Sequence, residues 1–136
     1  MTFKSTIVIL LFALLCLLGH VSAKTPVGAV RVDLQYGEEL PDKDPGADLS
    51  DPYVKLWVDG NPKQKSKVVH NDLDPTFYQT FYFLLYPGFQ NLHFEVRDRD
   101  PGHKHDDLLG RSVINLNGFC KPAPTSCSDT AFAVLD

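Results

Sequence analysis

The sequence is short of cysteine, with three in 136 residues, and short of basic residues, with 13 against 17 acids. No chain-wide basic excess points to nucleic acid. The one long apolar run, Ile7 to Leu18, is too short to span a bilayer comfortably. No stretch reads as a helix of useful length. The motifs that carry catalysis are missing: there is no Gly-x-Ser-x-Gly elbow, no His-Glu-x-x-His pair and no glycine-rich phosphate loop, so an enzyme is not expected. Asn-x-Ser/Thr is absent, and with it glycosylation on asparagine. The EF-hand pattern is absent too, and the acidic loops do not join helices.

What is present begins with an export signal. Lys4 precedes the apolar run IVILLFALLCLL, and Val21 with Ala23 supplies the small pair that signal peptidase accepts. Residues 1–23 therefore read as a signal peptide cleaved after Ala23, and residues 24–136 as a single domain. Cleavage removes Lys4 and no acid, leaving 12 basic residues against 17 acidic ones. The remaining chain is long enough to fold alone around one core. Export implies a secreted, extracellular protein, released directly or after storage in secretory granules. Cys16 leaves with the leader, while Cys120 and Cys127 flank the loop-like KPAPTS and read as a disulfide in an oxidising compartment.

Period-two alternation marks the rest of the chain. Val30, Val32, Leu34 and Tyr36 alternate with polar residues, as do Val54, Leu56 and Val58, and again Leu92, Phe94 and Val96. Phe77–Leu85 is rich in aromatics and strand-like. Weaker strand signals lie at Lys65–His70, Leu109–Leu116 and Ala131–Leu135. Turn chemistry separates them at Asp59-Gly60-Asn61-Pro62, Asp74-Pro75, Tyr86-Pro87-Gly88 and Pro101-Gly102. Seven short strands with regular turns predict an all-β antiparallel sandwich.

The acids are concentrated between the strands. Glu38, Glu39, Asp42, Asp44, Asp48 and Asp51 fall in one segment, Asp72 and Asp74 in a second, and Asp98, Asp100, Asp106 and Asp107 in a third, which is 12 of the 17. Carboxylates packed so closely repel unless a cation joins them, and calcium prefers six to eight hard oxygens. Asp98 and Asp100, two apart at a strand end, point the same way and can share an ion.

Four stretches resemble, in order, the signatures of a C2 domain: Ser50-Asp51-Pro52-Tyr53-Val54-Lys55, then Asp74-Pro75 before an aromatic strand, then Val96-Arg97-Asp98-Arg99-Asp100, then Asp106-Asp107-Leu108-Leu109-Gly110. The resemblance runs from about Gly28 to Leu116. It implies an eight-stranded sandwich whose three loops at one end gather aspartates around calcium. Seven strands are read here, so either an edge strand is missing or Pro26–Ala29 contributes to one. By resemblance Asp51, Asp98 and Asp100 are calcium ligands. The first-loop ligand is Asp44 if that loop carries one extra residue, with Asp42 and Asp48 as substitutes. In the third loop, spacing from Asp100 selects Asp106, whereas alignment on Leu108-Leu109-Gly110 selects Asp107. The C2 domain of perforin-like proteins is similar in Val68-Val69-His70-Asn71, in its Asp-Leu-Leu-Gly run and in the cysteines that follow.

The function implied is calcium-dependent attachment to a phospholipid surface. The alternative is an extracellular module that binds a protein partner through a sheet edge or its loops, with calcium only ordering those loops. Lys63, Lys65 and Lys67 alternate along one strand and fit either a solvated edge or a site for acidic headgroups. His103 and His105 flank Lys104 in the third loop, while His70 and His93 stand isolated in sequence.

Overall fold

The computed structural model describes residues 2–11, 25–44, 46, 48–88, 91–102, 105–118 and 126–134. Eight strands follow in chain order: β1 Thr2–Leu11, β2 Gly28–Glu38, β3 Pro52–Val58, β4 Gln64–Lys65, β5 Thr76–Leu85, β6 Asn91–Asp98, β7 Leu108–Asn115 and β8 Ser126–Val134. They form two four-stranded sheets, ordered β5-β2-β1-β8 and β4-β3-β6-β7, and every paired neighbour is antiparallel. The one helical piece among the described residues is a single 3₁₀ turn at Leu116–Gly118.

The alternation in sequence becomes the core. Val30, Val32 and Leu34 of β2 and Val54, Leu56 and Val58 of β3 are fully enclosed, and Leu92, Phe94 and Val96 of β6 nearly so. Phe77, Phe81, Phe83 and Leu85 of β5, Leu109 of β7, Leu40 and Leu116 complete one cluster shared by both sheets. Burying a side chain of this size is worth about 1.5–3 kcal/mol, so this alternation is the main determinant of register.

Three elements differ from the sequence reading, the first being the last strand, read as Ala131–Leu135 but running Ser126–Val134. The predicted strand Lys65–His70 shrinks to Gln64–Lys65, because Ser66 turns its hydroxyl onto the chain: Ser66 Oγ accepts from Val54 N at 2.9 Å and donates to the carbonyl of Lys67 at 2.7 Å. The eighth strand is β1, which comes from the residues read as the leader. It lies inside its sheet, between β2 and β8, and not at an edge. Ala23, the expected cleavage point, Cys120, one end of the expected disulfide, and His103 lie outside the described residues.

The seam between the sheets is closed by side-chain amides. Asn61 Nδ2 donates to the carbonyl of Leu84 at 2.9 Å and Gln64 Nε2 to that of Tyr82 at 2.8 Å, occupying acceptors on the free edge of β5. On the outer face of the other sheet, the Trp57 ring stacks on His93 with centroids 4.8 Å apart and planes 5° from parallel. Lys63 Nζ covers the Trp57 ring at 3.8 Å from its centroid. His93 Nε2 meets Asp59 Oδ1 at 2.6 Å, and Asp59 also accepts from Asn91 N and Nδ2. These bonds hold the Asp59 carboxyl below its ordinary range, the His93 contact first among the causes.

Candidate metal centre

Three connections meet at one end of the sandwich: Glu39–Asp51 between β2 and β3, Ser66–Pro75 between β4 and β5, and Arg99–Asp107 between β6 and β7. Their backbones are laced together. Asp98 N donates to the carbonyl of Asp107 at 2.9 Å, and Arg99 N to that of Asp51 at 3.0 Å. Asn71, in the left-handed conformation with φ 51° that asparagine tolerates, donates its N–H to Asp51 Oδ1 and accepts Leu49 N on its side-chain oxygen. The first and second connections are thereby fixed to each other.

Within this frame Asp44, Asp98 and Asp100 bring carboxylate oxygens within 4.8 Å of one another. Asp98 is the innermost, with no exposed surface. Its Oδ1 accepts Asp51 N at 2.6 Å, while Oδ2 is buried without any hydrogen-bond partner. A buried, unsatisfied carboxylate oxygen costs about 1–3 kcal/mol or more, and a cation among three acids would satisfy it. Desolvation, followed by the negative charges of Asp98, Asp100, Asp51 and Asp42, raises the Asp44 carboxyl above its ordinary value. Hard carboxylate oxygens suit calcium, these three acids would supply part of its six to eight positions, and nothing soft is among them.

The remaining sequence candidates are placed differently. The Asp51 carboxylate borders the cluster but is engaged by His70 Nδ1 at 2.7 Å and by Asn71 N. Asp106 is not among the three clustered acids: Oδ2 accepts the hydroxyl of Tyr53 and Oδ1 accepts Asp100 N. The Tyr53 bond is the main reason the Asp106 carboxyl lies below its ordinary range, and burial with the same bond pushes the Tyr53 hydroxyl up. Asp107 is exposed and its N–H donates to Asp100 Oδ2 at 3.1 Å. Asp42 is a loop former, accepting both Asp44 N and Ser50 N on Oδ1, and Asp48 is exposed.

Sequence reasoning missed the two histidine contacts. His70 and His93 look isolated along the chain, yet each meets an aspartate across a loop or a strand pair. The register of β3 on β6 sets Trp57 opposite His93 and so brings Asp59 close, which alternation alone does not reveal. Beside the acids, a cleft of about 300 Å³ is lined by Tyr53, Lys65, Ser66, Val68, Arg99 and Asp100, among others.

The C2 domain family model matches residues 28–129. A multiple C2 and transmembrane domain-containing protein of Drosophila melanogaster is 37% identical over 87 residues, covering 64% of this chain and 9% of its own length. Synaptotagmin-4 of Rattus norvegicus is 34% identical over 94 residues, covering 65% of this chain and 22% of its own. The chain thus spans a small part of these relatives. Among solved structures, the calcium-bound pair of C2 domains, A and B, of Extended-Synaptotagmin 2 superposes with a TM-score of 0.64 at 26% identity, covering 82% of this chain and 46% of that one. The C2 domain A of RIM from Drosophila gives 0.62 at 18% identity over 97% and 98%, a likeness of fold. The order of the loop motifs, the two-sheet topology and the extent of these matches agree, and the chain belongs to the C2 domain family.

Proposed function

We propose that the protein is an exported calcium-binding module that attaches to phospholipid membranes when calcium is bound. The observation that carries this reading is the buried, unpartnered Oδ2 of Asp98 within the Asp44, Asp98 and Asp100 cluster. A cation seated there would draw on those carboxylates, with Asp51 and Asp107 at the rim. Calcium supplies charge neutralisation and coordination positions open to phosphate or carboxylate oxygens. The chain's own residues set the rest. The lacing of the first and second connections and the bond from Asp51 N to Asp98 Oδ1 hold Asp51 beside Asp98, and the Tyr53 hydroxyl holds Asp106 Oδ2.

Exposed Lys65 and Arg99 line the cleft beside Asp100, exposed Lys43 adjoins Asp44 in the chain, and these would meet an anionic surface once the central charge is neutralised. Leu49, 38% exposed, is the one large apolar side chain shown on the described parts of the first and third connections, so attachment by headgroup contact is favoured over insertion. The leader at residues 1–23 supports export, and the likeness to the C2 domain of perforin-like proteins fits an extracellular setting.

Sedimentation with phosphatidylserine-containing vesicles, with calcium and then with a chelator, tests the reading. The protein is expected in the pellet only with calcium. Equal sedimentation in both conditions, or in neither, would refute it.

A further inference from the structure

Residues Thr2–Leu11 have two uses that one polypeptide cannot combine. As β1 they fill the interior of a sheet; as part of an export leader they are removed. Nine β8 residues, from Ser126 to Val134, pair with β1, and among the described residues β2 and β8 do not pair with each other. Loss of β1 therefore opens two facing ladders, one on β2 and one on β8.

The slot has a defined specificity. On β2 its inward positions are Val30, Val32 and Leu34, all without exposed surface. Ile9 aligns with Val30, Ile7 with Val32 and Ser5 with Leu34. Ser5 is fully buried and its hydroxyl has no hydrogen-bond partner among the described residues, so β1 fits imperfectly at that position. At the outward positions Thr6 aligns with Asp33 and Val8 with Arg31.

Two internal substitutes are ruled out by direction and space. β8 is antiparallel to β1, which is antiparallel to β2, so β8 cannot take over the β1 ladder without reversing. The β2 strand of a second copy cannot enter either. Across the sandwich β7 faces β8 and β3 faces β5. The second sheet of the incoming copy would therefore occupy the space of β6 and β7.

We propose that the chain lacking residues 1–23 accepts an extended segment of another polypeptide in this slot, as an added antiparallel strand. The segment is apolar where it faces Val30 and Val32 and small and apolar where it faces Leu34. Backbone ladders on both sides supply affinity, and the alternate side chains supply selectivity. The inference rests on the reading of residues 1–23 as an export leader.

The test uses the full chain expressed in a secreting eukaryotic host, with the N-terminus of the product read by intact mass. The probe is a synthetic peptide with the sequence of Thr2–Leu11 and a lysine tail for solubility, titrated into that product. It is compared with peptides carrying Ser5→Ala, with Ile7→Asp plus Ile9→Asp, and with a scrambled order. A product beginning at Lys24 is expected to bind the first peptide one-to-one with a raised melting temperature. The Ser5→Ala peptide should bind at least about fivefold more tightly, since the buried unsatisfied hydroxyl is gone. The double-aspartate and scrambled peptides should not bind. A product that aggregates alone and is made soluble by the first peptide counts in favour, and one that no peptide rescues counts against. A cleaved product that ignores the peptide, or takes the scrambled one equally, overturns the slot and leaves the leader standing. Retention of residues 2–11, or failure of export, overturns the leader and the proposal with it. Calcium-dependent sedimentation is scored separately in every case.

Discussion

Asp98→Asn should stabilise the calcium-free protein while abolishing its response to calcium. Asp98 has no exposed surface, gives Oδ1 to Asp51 N at 2.6 Å, and leaves Oδ2 unpartnered near the carboxylates of Asp44 and Asp100. Asparagine keeps the acceptor for Asp51 N. It sets an NH₂ donor where Oδ2 stood, facing acids that can accept from it. Two like charges 4 Å apart repel by about 4 kcal/mol at an effective dielectric of 20. Relaxation and partial exposure of Asp44 reduce this, and about 1–3 kcal/mol of relief is expected, the range for an unsatisfied buried group. For a domain of this size the melting temperature should rise by about 3–10 °C in chelator. The wild type should gain about 2.7 kcal/mol from calcium at a hundredfold excess over its dissociation constant, and the variant close to nothing. Scanning calorimetry with chelator and with calcium reads both effects. A variant that melts lower than wild type in chelator and still shifts fully with calcium would refute the reasoning.

Magnesium should shift the wild-type melting temperature far less than calcium, because it demands a tighter octahedral shell; equal shifts would indicate general screening. The raised Asp44 carboxyl gives a definite sign to acid behaviour: its folded value exceeds its unfolded one, so its stabilising contribution is present at low pH and lost as pH rises through the folded value. Asp44→Asn should accordingly flatten the melting profile of the calcium-free protein just above the ordinary carboxyl value of 3.8, and an unaltered slope would exclude Asp44 as the cause. Asp59 works the other way, since its depressed value contributes stability above the ordinary 3.8 that is lost as pH falls through the folded value. Asp59→Asn should lower the melting temperature at pH 7 with a gap that closes in strong acid; a constant gap would assign the loss to packing. Tyr53→Phe removes the hydrogen bond to Asp106 Oδ2, and should cost about 1–2 kcal/mol at neutral pH in denaturant titration; no loss would mean that Asp106 finds another donor.

Much of this fold can be read from the sequence because its strands are half-buried. Each alternating run, such as Val54, Leu56 and Val58, has one face that must go inside, and the structure seats those residues there. Alternation fails where burial is not the deciding force. The run after Lys65 stays beside β3, with Ser66 N and Val69 N donating to the carbonyls of Val54 and Pro52, but its regular ladder ends where the Ser66 hydroxyl takes Val54 N. Residues 7–11, apolar at every position, carry no period at all, and their place as β1 follows from the two ladders beside them. At the metal end the structure brings together Asp44 of the first connection, Asp98 at the end of β6 and Asp100 just beyond it. Asp106 and Asp107 are adjacent in the chain, and the bonds that Asp106 makes to the Tyr53 hydroxyl and to Asp100 N cannot be read from spacing.

The stack of Trp57 on His93 has an experimental consequence. Trp57 is the sole tryptophan, and it lies five residues along β3 from Pro52, which pairs with Asp98. At about 3.3 Å per strand residue that is roughly 17 Å from the metal end. Its ring is in contact with an imidazole and an ammonium group that both let go when the sheet opens. Its emission should therefore follow loss of the sheet and remain nearly silent to calcium. Metal binding and unfolding can then be followed in one cuvette, the first by heat and the second by light.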